Sequence, residues 1–220
     1  MLNVILFGPP GSGKGTQAEN LVQAFGLKQI STGALVRKEI DSGSELGLSL
    51  KDATSRGDLV PDAVVTRLLR AELGDRRPDV HGFIFDGYPR TLPQVHELQS
   101  LLDESGMAID AVVELRIPDD KLIERVSGRI LCGGCGHTYH ETFSPPHAGV
   151  CVCGQDAGWI RRPEDNPDAL KNRLGRYHTN TREVLSIFAR HPQYRIIDAA
   201  QPMEAVARSI RSCVNALEAK

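Results

Sequence analysis

Two sets of residues in this chain could do chemistry: a glycine-rich loop that ends in a lysine, and a cluster of cysteines. The loop, Gly8-Pro9-Pro10-Gly11-Ser12-Gly13-Lys14-Gly15-Thr16, follows the apolar run Leu2–Phe7 directly. Glycines there let successive backbone N–H groups and the following helix N-terminus point at phosphate oxygens, and Lys14 adds a movable positive charge. The pattern G-x-x-x-x-G-K-[ST] is met from Gly8 to Lys14, but residue 15 is Gly and the hydroxyl arrives one place late, on Thr16. The chemistry implied is the handling of a nucleotide, and the displaced hydroxyl marks a subgroup of such proteins. Asp86, closing the run Phe83-Ile84-Phe85-Asp86, stands where a nucleotide-binding protein places a carboxylate near Mg²⁺, directly or through water.

Basic residues supply the second part of that chemistry. Of the 26, 19 are Arg and 7 are Lys, and the planar guanidinium grips phosphate bidentately. Arg125 and Arg129 are four apart in a stretch read as one helix, Pro118–Arg129, so they share a face and could clamp a polyphosphate together. Arg162 and Arg173 flank the helix start at Asn166-Pro167, and Arg37 and Arg90 follow the strand ends at Thr32 and Asp86. Phosphoryl transfer asks for positive charge around the moving group and needs no covalent nucleophile.

Cys132, Cys135, Cys151 and Cys153 fall within 22 residues, and Cys213 is remote. The C-x-x-C and C-x-C pairs resemble the two knuckles of a structural zinc site, with His137, His140, His147 and Asp156 as substitute ligands. The alternative is a set of reduced, unligated thiols in a loop that folds by packing. Cys213, on the last helix, reads as a core thiol.

The elements that must position these groups alternate. Leu2–Phe7 reads as a buried strand, Gly13–Phe25 as a helix and Gln29–Thr32 as a short strand. Helices are expected over Ala34–Asp41, Glu45–Arg56 and Pro61–Leu73. Strands are expected at Phe83–Asp86, Ala111–Leu115 and Tyr194–Ile197, with a helix reaching Glu104 and a last one from Met203. Such alternation implies an α/β fold, a parallel sheet covered by helices on both faces, with ligands at the carboxyl ends of the strands. Residues 31–60 read as a helical insertion on the sheet, and 130–161, rich in Gly, Cys, His and Pro, as a stretch without regular structure, of the kind that serves as a lid.

At 220 residues the chain suits one core with inserted subdomains. A net charge of −2 gives no general basic field, which argues against nucleic-acid or anionic-membrane binding and for small-molecule partners. No stretch reaches transmembrane length, and the strand begins without a leader-like segment, so a cytoplasmic location is expected.

Together, Gly8–Thr16, Ser31-Thr32-Gly33, Asp86-Gly87-Tyr88-Pro89-Arg90 with Gln94, Arg125 with Arg129, and Arg162 with Arg173 resemble adenylate kinase in its long form with a zinc-bearing lid. The likeness covers essentially the whole chain. It implies a P-loop three-layer sandwich with a five-stranded parallel sheet, a nucleoside-monophosphate-binding insertion at 31–60, a lid at 128–165 and a monomer. The implied reaction is reversible transfer of the γ-phosphoryl group of Mg·ATP to AMP. By the same resemblance ATP lies on Gly11, Ser12, Gly13, Lys14, Gly15 and Thr16, with Arg125 and Arg129 over its phosphates and Thr138, Tyr139 and Gln201 beside its adenine. AMP contacts Thr32, Arg37, Asp58, Leu59, Val60, Gly87, Tyr88, Pro89, Arg90 and Gln94. Arg90, Arg162 and Arg173 hold the AMP phosphate and the group in flight, and Cys132, Cys135, Cys151 and Cys153 hold zinc. Lid closure in adenylate kinase is an established gating motion.

Three positions depart from the family pattern. Ala34 stands where Asp is common, Arg162-Pro163-Glu164-Asp165 replaces Arg-x-Asp-Asp, and the second cysteine pair is one residue short. The nearest rival is a kinase of UMP, CMP or GMP. A zinc-ribbon binding module on a P-loop scaffold is a remoter one, since few basic residues surround the cysteines.

Overall fold

The computed structural model describes residues 1–74 and 78–218. A five-stranded parallel sheet forms the centre, built from β1 (Leu2–Phe7), β2 (Lys28–Ser31), β3 (Gly82–Asp86), β4 (Ala111–Arg116) and β8 (Tyr194–Asp198) in the order β2-β3-β1-β4-β8. The chain fills one side of β1 first and then crosses to the other. The strand ends therefore part beside the carboxyl end of β1, where an α/β sheet opens a ligand crevice.

Alternation along the strands divides the core in two. Val4 and Leu6 of β1, Ile84 of β3, and Val113 and Leu115 of β4 face one layer, completed by α1 (Lys14–Phe25), α6 (Asp119–Ser127), α7 (Pro167–Arg176) and α9 (Met203–Glu218). Ile5, Phe7, Phe83, Phe85 and Val112 face the other, covered by α4 (Asp62–Gly74), α5 (Leu92–Glu104) and α8 (Arg182–Phe188). Burial on both sides explains why these strands are continuous apolar runs. Asn3 is the exception in β1. Its side chain donates to the Ala108 carbonyl (2.8 Å) and accepts from the Phe83 N–H (3.2 Å), which satisfies a polar group that is 1% exposed.

Between β2 and α4 the chain forms α2 (Thr32–Asp41) and α3 (Glu45–Ser55). Ser44 caps α3 by accepting the Gly47 N–H, and Gly47 lies so close to α2 that a Cβ there would stand 2.1 Å from the Glu39 carbonyl oxygen.

Two sequence expectations fail here. The helix read as Pro118–Arg129 ends at Ser127, where the Gly128 N–H donates to the Glu124 carbonyl, and Arg129 opens a strand. Residues 130–161 are not without regular structure. β5 (Arg129–Cys132), β6 (Thr138–His140) and β7 (Trp159–Ile160) form a three-stranded antiparallel sheet in the order β6-β5-β7. Pairing across that sheet, Arg129 with His140 and Cys132 with Trp159, decides the conformation of strands too short to carry a periodic signal. Further on, a π-helical turn at Tyr177–Thr181 joins α7 to α8.

Candidate active site

A cavity of about 1580 Å³ opens at the carboxyl ends of the sheet strands. The loop after β1 supplies Gly11, Ser12, Gly13, Lys14, Gly15 and Thr16 to its wall, and the turn after β3 supplies Asp86, Gly87, Pro89 and Arg90. Arg37 reaches it from α2, Leu59 from the segment after α3, Arg125 from α6, and Gln201 from the turn before α9. Arg129, Thr138 and Tyr139 of the antiparallel sheet close it from above, joined by Arg162 and by Arg173 of α7. Thr32, Asp58, Val60, Tyr88 and Gln94 are not among the lining residues. Tyr88 is packed in the core, 1% exposed, with its hydroxyl 3.3 Å from that of Thr66.

The loop's shape depends on glycine. Gly11 has φ +83°, and a Cβ on it would meet Val126 Cγ2 at 2.7 Å, so α6 packs directly against the phosphate loop. Lys14 folds back over that loop and donates to the carbonyls of Gly8 (2.7 Å) and Pro9 (2.9 Å). Burial, with Arg90, Arg173 and Arg129 nearby, pulls its ammonium pKa down to about 7 against the pull of Asp86. An anion entering the cavity reverses that balance by giving the ammonium a partner.

The arginines show the same shortage of negative charge. Burial, then Arg90 and Arg129, lower Arg173 to about 10; burial, then Arg129 and Arg37, lower Arg162 to about 10. Arg90 is lowered chiefly by burial, as is Arg125. Two carboxylates hold members of the group in place, and a third, Asp86, stands beside Arg90 and Lys14. Glu164 pairs with Arg37 at 3.0 Å, and Asp165, its side chain wholly buried, accepts Arg129 Nε at 2.6 Å. Asp86 accepts Gln29 Nε2 at 3.0 Å. These do not use every donor. Arg162 Nε and Arg173 Nη1 are buried without a hydrogen-bond partner, the nearest carboxylate oxygen to Arg173 lying 3.8 Å away on Asp165. Buried, unmet guanidinium donors around a cavity suit an anion with several acceptor oxygens.

Arg125 and Arg129 thus reach one cavity without sharing a helix face. Arg125 comes from the last turn of α6 and Arg129 from β5, tied to Asp165. Two residues at the site carry no weight in the sequence reading. Gln29 orients Asp86, and Arg176 lines the cavity while bonding Asp58 at 2.5 Å. The spacing Arg173-x-x-Arg176, one helical turn, is the signal that points to the second.

At the top of the antiparallel sheet the four thiols of Cys132, Cys135, Cys151 and Cys153 come together, with one sulfur from each within 4.8 Å of all the others. Cys132 and Cys153 sulfurs are 3.7 Å apart, Cys135 and Cys151 3.5 Å. The Gly134 N–H points at Cys132 Sγ (3.4 Å). The short Cys151-x-Cys153 pair therefore does not prevent convergence. Four sulfur donors at this spacing suit a tetrahedral metal ion. Among the described residues His137, His140, His147 and Asp156 are not part of the cluster. His137 instead faces Glu19 of α1, Nδ1 to carboxylate 3.5 Å. Cys213 packs, half-buried, against the core layer that holds α9.

A family model described as Adenylate kinase matches residues 6–193. An adenylate kinase of Methanosarcina barkeri is 41% identical over 213 residues, which cover 96% of this chain and 97% of the relative. One of Zymomonas mobilis is 40% identical over 221 residues, covering 100% and 98%, and one of Paracoccus denitrificans is 40% identical over 220, covering 99% of both.

Proposed function

The chain belongs to the adenylate kinase family, and from that premise we propose how its residues divide the reversible transfer of the γ-phosphoryl group of ATP to AMP, which gives two ADP. The observation that carries the proposal is the convergence of Lys14, Arg90, Arg129, Arg162 and Arg173 on one cavity with guanidinium donors left unmet.

ATP lies with its phosphates on Gly11–Thr16, where backbone N–H groups and the start of α1 meet them. Lys14 leaves the Gly8 and Pro9 carbonyls for the phosphate oxygens, and Arg125 and Arg129 cover the polyphosphate from above. Thr138, Tyr139 and the backbone at Gln201 border the adenine. AMP enters on the side of Thr32, Arg37, Asp58–Val60 and Gly87–Arg90, with Gln94 against its base. Arg90, Arg162 and Arg173 hold its phosphate. An oxygen of that phosphate attacks the γ-phosphorus as the bond to the β-phosphate oxygen breaks, and the guanidinium groups neutralise charge on the group in flight.

Asp86, oriented by Gln29, would hold the Mg²⁺ that accompanies ATP, which neutralises charge on the polyphosphate oxygens. Residues 31–60 form the AMP-binding insertion and 128–165 the lid of a core running over 1–220. The lid keeps water from the phosphoryl group. Its four thiolates hold zinc as a structural staple. Among the described residues no helix is long and apolar enough to cross a membrane; we place the enzyme in the cytoplasm as a monomer.

The test is ADP formation from ATP and Mg²⁺ with AMP, UMP, CMP and GMP in turn, beside elemental analysis of the purified protein. AMP as the strongly preferred acceptor with one zinc per chain supports the reading. Preference for another base overturns the acceptor, and absence of zinc overturns the staple.

A further inference from the structure

Asp62, the first residue of α4, has no part in the mechanism above. One of its carboxylate oxygens accepts Gln94 Nε2–H at 2.7 Å, and the other accepts the Thr91 hydroxyl at 2.7 Å. Thr91 also caps α5, accepting the Gln94 backbone N–H at 3.4 Å. The far end of the same amide, Gln94 Oε1, accepts the backbone N–H of Arg90 at 2.8 Å. A carboxylate only accepts and a backbone N–H only donates, so these two partners fix which end of the amide is oxygen and which is nitrogen.

Turning the amide over would set its oxygen against the Asp62 carboxylate and its NH₂ against the Arg90 N–H. Gln94 is 3% exposed, and mismatched polar groups at such a depth are costly. A free primary amide offers a partner either order of donor and acceptor; this one offers a single order. Adenine presents its N1 acceptor beside a donating 6-amino group, whereas a 6-oxopurine presents a donating N1–H beside an acceptor oxygen. After Asp62 and Arg90 take one position each, Gln94 keeps one hydrogen on nitrogen and one lone pair on oxygen, the pair that adenine needs.

We infer that Asp62 is a positioning residue for specificity: by locking the Gln94 amide, it makes the acceptor site read a 6-aminopurine and refuse a 6-oxopurine. This rests on the proposed placement of Gln94 against the acceptor base. Gln94 does not itself line the cavity, but its amide accepts the backbone N–H of Arg90, which does. The 6-oxopurine is refused because pairing with it requires the reversed amide, which loses both locking bonds at once.

The experiment compares AMP and IMP as acceptors for the wild type, Asp62→Asn, Gln94→Ala and the double variant. Asparagine keeps the shape and the Thr91 bond but donates as readily as it accepts, so only the Arg90 N–H still holds the Gln94 amide in its one order. Asp62→Asn lowers the AMP-to-IMP ratio of kcat/KM by about tenfold or more, through a lower KM for IMP and a higher KM for AMP rather than through kcat. In the Gln94→Ala background the same change has no further effect on the ratio. A structural role for Asp62 alone would weaken both acceptors together and leave the ratio where it was, which overturns the inference. An unchanged KM for AMP in Gln94→Ala overturns the placement of Gln94 itself, and the inference with it.

Discussion

The central sheet and the lid meet at one cavity but are held together by different physics. Behind the phosphate loop stand two apolar layers, one on each face of the sheet, in which Val4, Ile5, Leu6, Ile84 and Phe85 are fully buried. Under the lid the buried cluster is Cys132, Tyr139 and Cys151 with Ile130 against them. Its antiparallel sheet includes strands of three and two residues, and Val150, Val152 and Ile160 are exposed. So small a core does not offset the entropy of ordering the segment, and a metal held by the convergent thiols, as proposed above, would supply what burial lacks. A phosphate loop on a stiff base and a lid on the proposed metal staple can thus be disturbed separately.

The largest expected effect separates chemistry from folding. Lys14→Met removes the ammonium that the proposed mechanism sets against the moving group and lowers kcat by about 10²-fold or more, while the thermal midpoint stays within a few degrees of the wild type. Steady-state kinetics beside calorimetry checks both. Cys132→Ser acts in the opposite way. It releases the metal and lowers the thermal midpoint by roughly 5 °C or more, and the loss in kcat is smaller than for Lys14→Met. Metal content measured on the same sample ties the two results together.

A gentler probe is pH. In the empty cavity the Lys14 ammonium is pulled down to about 7 from 10.5. Between those values the unfolded chain binds more protons than the folded one, so this group adds stability to the empty protein as pH rises from 7 towards 10.5. Binding runs the other way. ATP favours the protonated lysine, so its affinity falls by up to about tenfold per pH unit above 7, and at pH 7 binding takes up protons. Titration calorimetry in buffers of different ionisation enthalpy measures the uptake, which Lys14→Met abolishes.

What was legible in the sequence follows the same division. Leu2–Phe7 and Ala111–Leu115 announce themselves because a strand buried on both faces has no polar alternation to confuse it. Asn166-Pro167 marks a helix start because its cap is local, Asn166 Oδ1 accepting the Ala169 N–H at 2.9 Å. Around the lid the signals are non-local. Leu122, Val126 and Ile130 keep a four-residue spacing that extends the helix on paper through Arg129, whereas the chain turns at Gly128 and pairs with His140. The arginines were legible as residue types, but their anchors on Asp165 and Glu164 join groups 36 and 127 residues apart. The Asp62–Gln94 contact, 32 residues apart, is of the same kind.

Hydrogen exchange before and after metal removal by a chelator tests the contrast between sheet and staple most directly. Amides of Arg129–Cys132 and Thr138–His140 are expected to exchange at least about tenfold faster in the metal-free protein, while those of Val4–Phe7 and Phe83–Asp86 keep their protection. Equal acceleration in both sheets, or none in the lid, would contradict that contrast.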